Sequence, residues 1–202
     1  MKSVLLRVCS LTILIAMASC PAAATEEKAV FAGGCFWGVE AVFEHVKGVI
    51  DVRSGFAGGT KDAANYNAVS SGETKHAESV EIRFDPAKVT YEQLLYIFFA
   101  VAHDPTELNR QGPDVGTQYR SAIFYADEKQ KKAAEAFITA VNKSKAFDRP
   151  VATVVEPLVE FFVAEKYHHD YLKNHPDEPY IVVNDLPKLE ALKQKFPDLY
   201  RK

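Results

Sequence analysis

Cysteine is scarce in this chain of 202 residues, and the few positions it occupies exclude several classes of protein. Only three cysteines occur, namely Cys9 and Cys20 near the N-terminus and Cys35 beyond them. No Cys-x-x-Cys pair exists, and the six histidines form no His-Glu-x-x-His motif, so no common metal-binding pattern is present. With one cysteine after residue 24, the main part of the chain cannot form an internal disulfide.

Glycine-rich phosphate loops, basic clusters and internal repeats are absent as well. Without a Gly-x-Gly-x-x-Gly motif or a phosphate loop, we expect no nucleotide cofactor and no other bound cofactor. The formal net charge is −3 with acidic and basic residues interspersed, so we expect no nucleic-acid surface. The hydrophobic fraction of 48% instead favours one globular domain with a substantial core.

The main apolar run stands at the N-terminus and has the features of a secretion signal. Lys2 and Arg7 provide a basic region, and the stretch from Val8 to Ala18 is apolar. That stretch is too short for a membrane-spanning helix. We therefore expect residues 1–24 to be a leader and residues 25–202 to be the folded domain, without a membrane span.

Two processing sites fit this leader. The small residues from Ala22 to Ala24 suit signal-peptidase cleavage before Thr25. The segment from Met17 to Cys20 resembles a lipoprotein cleavage box, which would place a lipid anchor on Cys20. Both interpretations predict an exported protein, either periplasmic or attached to a membrane as a lipoprotein.

The pattern of strands and helices predicts an α/β fold with α+β character, in a single domain whose mixed sheet carries packed helices. One strand is expected to end at Val30 and Phe31, and others are expected at Val49–Phe56, Glu78–Phe84 and Ser121–Tyr125, with one or two over Val151–Ala164. Helices are expected after Cys35, from Thr90 to about Ala102, after Asp127, at Lys166–Lys173 and at Pro187–Phe196. Polar loops are expected at Thr60–Lys75 and His103–Tyr119.

The segment Gly34-Cys35-Phe36-Trp37-Gly38 places the thiol at a predicted strand-to-helix turn. The positive end of the helix dipole and unpaired backbone N–H groups there favour the thiolate over the thiol. Because the thiolate is the nucleophile, a lowered pKa would make Cys35 reactive. A free cysteine is more commonly a small buried apolar residue, but the flanking glycines and the helix start favour a nucleophile.

Glu78 is a candidate general acid, because it shares strand parity with Val80 and Ile82 and should face the core. Burial would raise its carboxyl pKa toward neutrality. The alternative is that Glu78 stands at the strand end and reaches water. The residues alone leave both readings open.

Three residues of the polar loops are weaker candidates. Tyr66 and Tyr119 carry phenols that can donate a hydrogen bond to a developing oxyanion. Asp114 follows Gly112-Pro113 and is also a typical turn residue. Taken singly, each of the three fits an ordinary loop position better than a functional one.

Together these residues resemble the A-type peptide methionine sulfoxide reductases, over roughly residues 28 to 175. The motifs are Gly34-Cys35-Phe36-Trp37-Gly38-Val39-Glu40, Gly55-Phe56-Ala57-Gly58-Gly59, Ser71-Gly72-Glu73-Thr74-Lys75-His76-Ala77-Glu78 and Gly116-Thr117-Gln118-Tyr119-Arg120-Ser121. One short motif can arise by chance, whereas four in the expected order are specific.

The resemblance implies reduction of methionine-S-sulfoxide, free or in proteins, to methionine, with a sulfenic acid left on the enzyme. It implies that Cys35 is the nucleophile, that Glu78 is the acid assisted by Tyr66 and Tyr119, that Phe36 and Trp37 hold the substrate methyl group, and that Asp114 fixes the substrate backbone. His168 also matches a recurring family histidine, to which no role is assigned.

The chain departs from many members of that family at two points. No cysteine follows Cys35, so the resemblance implies a one-cysteine cycle regenerated by an external thiol, either a thioredoxin-like protein or a small thiol. Phe56 occupies a position where tyrosine is common, so no hydroxyl is available there. We expect the protein to act as a monomer.

Two other functions remain open at this point. A thiol acyltransferase or hydrolase would pair Cys35 with a histidine such as His76 or His103 and form an acyl-enzyme. A secreted binding domain lined by aromatic residues would contain an inert Cys35.

Overall fold

A six-stranded mixed sheet forms the centre of the fold. The computed structural model describes residues 25–202, so the predicted leader and its processing sites lie outside the described residues. The strands are β1 (Glu27–Gly33), β2 (Val49–Ala57), β3 (Ala77–Phe84), β4 (Arg110–Gln111), β5 (Asp114–Val115), β6 (Ser121–Tyr125), β7 (Val154–Pro157) and β8 (Phe161–Val163). The sheet order is β7-β6-β1-β3-β2-β8, and β4 with β5 forms a separate hairpin. Only β6 and β7 pair in parallel within the described sheet.

Six α-helices accompany the strands in the described chain. They are α1 (Phe36–Glu44), α2 (Tyr66–Ser70), α3 (Tyr91–Ile97), α4 (Glu128–Ser144), α5 (Tyr171–Asn174) and α6 (Leu186–Lys195). Wider π-helical turns follow α3 at Phe98–Ala102 and precede α6 at Ile181–Asp185. Within residues 25–202, none of the helices combines the length and the apolar character needed to cross a membrane. The predicted α/β fold, one domain with helices on a mixed sheet, is confirmed.

The central strand β3 is covered on both faces. Phe31 of the neighbouring β1 stacks on Phe98 with ring centroids 4.8 Å apart, as part of the helix-covered core. The opposite face carries small residues under Leu158 and Phe161. Burial on both faces explains why Ser79 is buried, although its parity differs from that of the main core residues.

Three predicted stretches differ locally from the structure, and the first is the loop expected at 103–119, which contains the β4–β5 hairpin. The predicted loop at 60–75 contains α2, whose N-terminus is capped by the Asn65 side chain accepting from the Ala68 N–H at 3.0 Å. The predicted helix at 166–173 is interrupted at Asp170, which has a φ of +52°. Aspartate tolerates this left-handed conformation better than most residues. Its N–H turns toward Glu40 and donates to that carboxylate at 3.1 Å.

Glu40 fixes α1 to its surroundings from a buried position. The hydrophobic pattern places Glu40 away from the buried stripe of α1, but its side chain is only 2% exposed. It accepts from the Ser54 N–H of β2 at 3.1 Å and lies 3.3 Å from His169 Nδ1, in addition to its bond with Asp170. Burial raises the pKa of Glu40 to about 8. The carboxyl is tolerated in the core because backbone donors of two other segments need it as acceptor.

The end of the chain is held against the C-terminal end of α1. The Lys47 N–H donates to the Leu199 carbonyl at 2.7 Å, and the Arg201 N–H donates to the His45 carbonyl at 2.8 Å. Leu172 and Ile181 pack on the same helix. The segment after α5 is therefore part of the core and covers α1, the helix that starts at Cys35.

Replacing Glu40 with alanine should lower the free energy of unfolding by about 2–4 kcal/mol, because the buried Ser54 N–H and the part-buried Asp170 N–H lose their acceptor, and an unpaired buried donor costs about 1–3 kcal/mol. Chemical denaturation measures this change. The matched variant Glu190→Ala removes an exposed carboxylate of α6 and should change stability by less than about 0.5 kcal/mol. Equal effects of the two variants would contradict the role of Glu40.

Candidate active site

Cys35 stands immediately before the first residue of α1, at the turn that the sequence predicts. Gly34 makes this turn with a φ of +93°, and a Cβ atom there would lie 2.6 Å from the Gln111 side chain. The backbone N–H of Trp37 lowers the pKa of the Cys35 thiol, although the Cys35 side chain makes no capping hydrogen bond with α1. The thiol thus meets the N-terminus of the helix as expected from the sequence.

The expected lowering of the Cys35 pKa is wrong. Cys35 is 8% exposed, and burial raises the pKa of its thiol well above the ordinary value. Negative charge on Glu78 and Asp185 raises it further, whereas the Trp37 N–H and Lys188 lower it. Loss of hydration outweighs the helix N-terminus, because burial disfavours the charged form of an isolated sulfur. The resting group at neutral pH is therefore a thiol.

Glu78 faces the core, and the alternative in which it reaches water is wrong. Its side chain is 2% exposed, and its Oε2 accepts from the Phe36 N–H at 3.1 Å. Its cross-strand neighbour on β2 is Phe56, an apolar side chain without a hydroxyl. Burial raises the pKa of Glu78 to about 8, the charge of Asp114 adds to this, and the bond from Phe36 opposes it. At neutral pH the carboxyl is mostly protonated and can act as an acid.

The aromatic side chains form a cluster next to this pair. Phe36 is 1% exposed, and its ring centroid lies 5.9 Å from Phe56, 6.5 Å from Tyr66 and 4.9 Å from His168. Burial, followed by the charges of Glu78 and Cys35, raises the pKa of Tyr66 to about 12. The structure therefore brings Tyr66 to the same site.

Tyr119 lies close enough to Glu78 and Asp114 for their charges to act on its phenol. It ends a short 3₁₀ turn at Thr117–Tyr119 and is partly buried. Burial raises the pKa of its phenol, and the charges of Glu78 and Asp114 raise it further. Both candidate tyrosines are thus neutral donors whose surroundings include the Glu78 carboxyl.

Trp37 lies at the side of the site in contact with the C-terminal segment. Its indole stacks on Tyr171 with centroids 3.7 Å apart and planes 6° apart, and it meets Tyr180 edge-on at 6.0 Å. Its Nε1–H donates to His168 Nδ1 at 3.1 Å. One indole face is therefore covered by protein.

A cavity of about 150 Å³ opens beside Cys35. Its lining includes Asp114 from the β4–β5 hairpin together with Tyr180 and Lys188 from the C-terminal segment. The Tyr180 hydroxyl donates to Asp114 Oδ2 at 2.5 Å. Of the predicted substrate-binding residues, the structure brings Asp114 into this cavity, whereas Phe36 and Trp37 lie next to it and do not line it.

Sequence reasoning missed the contribution of the C-terminal segment. Tyr180, Asn184 and Lys188 line the cavity, and the carboxylate of Asp185 is fully buried behind it. A Cβ atom at Gly38 would lie 2.0 Å from Asp185 Oδ1, so the first turn of α1 needs glycine at this position. No local pattern in the sequence connects these residues to Cys35, more than 140 positions earlier in the chain.

The histidines proposed as bases for acyl transfer are occupied elsewhere. His76 bonds to the Gly59 N–H and to the Thr60 carbonyl through its two ring nitrogens. His103 lies within hydrogen-bond distance of the Phe98 carbonyl and of Ser121 Oγ, and burial lowers its pKa to about 4. Neither ring therefore offers a free nitrogen to activate Cys35.

The two adjacent histidines of the C-terminal part, His168 and His169, contact different residues. His168 Nδ1 accepts from Trp37, whereas His169 Nδ1 lies 3.3 Å from Glu40 Oε1. Between residues 25 and 202, no group of three or more His, Cys, Asp or Glu side chains is placed to hold a metal ion. The chemistry of the site consists of a thiol, a protonated carboxyl and phenols.

Comparison with known proteins shows one consistent family. The family model described as peptide methionine sulfoxide reductase matches residues 27–200. Peptide methionine sulfoxide reductase MsrA 2 of Mesorhizobium japonicum is 56% identical over 179 residues, which cover 89% of this chain and 92% of that protein. The protein of the same name from Synechocystis is 55% identical over 172 residues, 85% of this chain and 80% of that protein.

Solved structures agree with these relatives. Reduced Mxr1 of Saccharomyces cerevisiae matches with a TM-score of 0.70 and 32% identity, over 76% of this chain and 88% of that chain. Methionine sulfoxide reductase A of Corynebacterium diphtheriae matches with a TM-score of 0.65 and 34% identity, over 75% of this chain and 76% of that chain. The family model extends beyond residue 175 and includes the C-terminal segment that closes the cavity. The resemblance noted in the sequence is confirmed, and the chain belongs to the peptide methionine sulfoxide reductase family, whose members are oxidoreductases that act on sulfur.

Proposed function

We propose that this chain reduces methionine-S-sulfoxide, free or within proteins, by transferring the sulfoxide oxygen to Cys35. One observation carries the proposal. The Glu78 carboxyl accepts a hydrogen bond from the N–H of Phe36, the residue directly after Cys35, and its pKa is raised to about 8. A nucleophilic sulfur and a proton donor are therefore held at one buried turn, which is what removal of an oxygen from sulfur requires.

The reaction balances with these two groups. The Cys35 sulfur attacks the sulfoxide while Glu78 gives its proton to the oxygen, and the thiol proton of Cys35 returns to Glu78. The S–O bond of the substrate breaks and an S–O bond forms at Cys35. The products are methionine and a cysteine sulfenic acid, so the substrate sulfur gains two electrons and the Cys35 sulfur loses two.

The surrounding residues have supporting roles in this proposal. The phenols of Tyr66 and Tyr119 donate to the oxygen as negative charge develops on it. Phe36 and Trp37 provide aromatic surface for the methyl group, a favourable contact for sulfur. Asp114 lies at the cavity and fixes the substrate backbone.

Regeneration of Cys35 is proposed to use an external thiol. Residues 25–202 hold no second cysteine, so two external thiols convert the sulfenic acid to a thiol, with release of water and a disulfide. The chain after α6 is also held to α1 by backbone bonds at Lys47 and Arg201. The reductant is a thioredoxin-like protein or a small thiol that reaches the cavity from solution.

The leader supports a role outside the cytoplasm. Lys2, Arg7 and the apolar stretch that follows have the order of a secretion signal. We propose that the protein repairs oxidised methionine in exported proteins, in the periplasm or as a lipoprotein anchored at Cys20.

Replacing Cys35 with serine should abolish turnover, because a hydroxyl does not accept the oxygen. We expect wild-type protein without reductant to form one methionine per enzyme from the S epimer and to gain one oxygen on the Cys35 peptide, as measured by mass spectrometry. The control Cys20→Ser makes the same exchange in the leader and should keep full turnover. Methionine formation by Cys35→Ser protein would refute the proposal.

Replacing Glu78 with glutamine should slow the single turnover by about 100-fold or more, since general acids contribute roughly 10²–10⁴-fold. Because the pKa of Glu78 is raised to about 8, the acid is present below that pH and is lost above it. The wild-type rate should therefore fall as pH rises through about 8, and this decline should be missing in Glu78→Gln. The exposed control Glu92→Gln should keep the wild-type profile, and an unchanged rate in Glu78→Gln would remove Glu78 from its role.

Export is tested by expressing the full chain in a bacterium and measuring its cell fraction and N-terminal mass. A periplasmic protein that starts at Thr25 supports signal-peptidase cleavage, and an acylated Cys20 in the membrane fraction supports the lipoprotein route. Unprocessed protein in the cytoplasm would contradict export.

A further inference from the structure

A buried ion pair stands beside Cys35 and is not used in the reaction described above. Lys188 Nζ lies 3.0 Å from Asp185 Oδ1, with side chains 17% and 0% exposed respectively. The pair contacts the first turn of α1, because a Cβ atom at Gly38 would lie 2.0 Å from Asp185 Oδ1 and 2.8 Å from Lys188 Nζ. Both ends of the pair thus reach the helix start that carries the thiol.

The lysine also faces the cavity. Lys188 lines the cavity of about 150 Å³ together with Cys35. Its ammonium carries three donors, and Asp185 is its one hydrogen-bond partner within the described part of the chain. Asp185 Oδ2 is buried and has no partner among the described residues. The ammonium of Lys188 therefore keeps donors that Asp185 does not occupy, and these lie at the cavity that contains the Cys35 sulfur.

A positive charge is unusual at this location. The N-terminus of a helix disfavours cations and favours anions. Asp185 meets that preference and at the same time holds the Lys188 ammonium within reach of the cavity. Surface lysines, by contrast, lie in water and are screened.

We propose that Lys188, held by Asp185, stabilises the Cys35 thiolate by its positive charge when an external thiol regenerates the enzyme. This role rests on the one-cysteine cycle proposed above. First, the external thiol attacks the sulfenic sulfur, and water leaves as a mixed disulfide forms. A second external thiolate then attacks the sulfur of the first external thiol. The S–S bond breaks, the external thiols leave as a disulfide, and Cys35 departs as a thiolate beside the Lys188 charge.

Negative charge on Glu78 and Asp185 disfavours that thiolate, whereas the backbone N–H of Trp37 and the charge of Lys188 favour it. Ionisable groups that influence Cys35 or are influenced by it come from several elements, namely Glu78 on β3, Tyr66 on α2, Tyr119 in its 3₁₀ turn, Tyr171 on α5, Tyr180 before α6 and Asp185. Asp114 on β5 shares the cavity. The phenols are neutral, and Lys188 opposes the effect of the carboxylate charges on Cys35. A chain whose cysteine must leave as a thiolate into a buried site has a use for this cation.

The structural alternative is that the pair only anchors α6. The two interpretations predict different shifts of the Cys35 pKa. Under the proposal, loss of Lys188 raises this pKa because a stabilising charge is removed, and loss of Asp185 lowers it because a repelling charge is removed. If the pair only anchors α6, both variants loosen this helix and shift the pKa of Cys35 in the same direction.

The first experiment measures the pH dependence of iodoacetamide labelling in the full chain, with the Cys35 peptide quantified by mass. We expect Lys188→Met to raise the labelling midpoint by about one pH unit and Asp185→Asn to lower it. Lys188→Arg should restore the wild-type midpoint. The matched control Lys195→Met, which removes a lysine of the same helix that bonds to the Ala100 carbonyl, should leave it unchanged.

The second experiment measures release of a small thiol from a mixed disulfide at Cys35 by dithiothreitol at pH 7. Release should be about threefold slower in Lys188→Met, since a thiol of higher pKa is a poorer leaving group. An unchanged midpoint and release rate, or shifts in the same direction for Lys188→Met and Asp185→Asn, would overturn the proposal. If Lys188→Met does not fold, Lys188→Gln and Asp185→Asn are compared by the same two measurements.

These readouts are independent of sulfoxide reduction. If wild-type protein fails to transfer oxygen to Cys35, the proposed function fails, while labelling and thiol release still report the effect of Lys188. If oxygen transfer proceeds and the midpoints do not move, only the role of Lys188 is refuted.

Discussion

The hydrogen bond between the Phe36 N–H and the Glu78 carboxyl is the contact on which the site depends. It joins the start of α1 to the central strand and places an acid next to the residue that carries the thiol. Burial raises the pKa of both Glu78 and Cys35, so both groups hold their protons near neutral pH. The apolar surroundings that disfavour these charges have a second effect. In a site of low dielectric constant, a hydrogen bond to a developing oxyanion is stronger than in water.

In the proposed reaction, the reactivity of this arrangement does not depend on a resting thiolate. A buried thiol next to a negative carboxylate is a poor nucleophile. A protonated Glu78 removes that repulsion, and in the proposed reaction it supplies the proton that the departing oxygen requires. Phe56 contributes by presenting an apolar surface across the strand pair. The same burial therefore keeps both the Glu78 carboxyl and the Cys35 thiol protonated near neutral pH.

The C-terminal segment closes the cavity beside Cys35 and does so without a second cysteine. Tyr180 meets Asp114, and the pair Asp185–Lys188 lies on Gly38, so this segment closes the cavity with phenol and charge. In residues 25–202 it brings no second thiol to Cys35. The backbone bonds that hold the chain end make the segment a wall of the site, and in the proposed one-cysteine cycle the external thiol approaches through the cavity.

Local pattern alone determined the strand-to-helix turn at Cys35, the inward parity of Glu78 and the α/β class, because each depends on spacing along a few neighbouring residues. Motif order identified the family. Tertiary structure decided the rest. The high pKa of Cys35 and the burial of Glu40 depend on what covers α1. The closure of the site by Tyr180 and Lys188 depends on contacts across more than 140 residues of chain, which leave no periodic signal in the sequence. Desolvation and long-range packing are properties of the assembled core, and only the folded chain shows them.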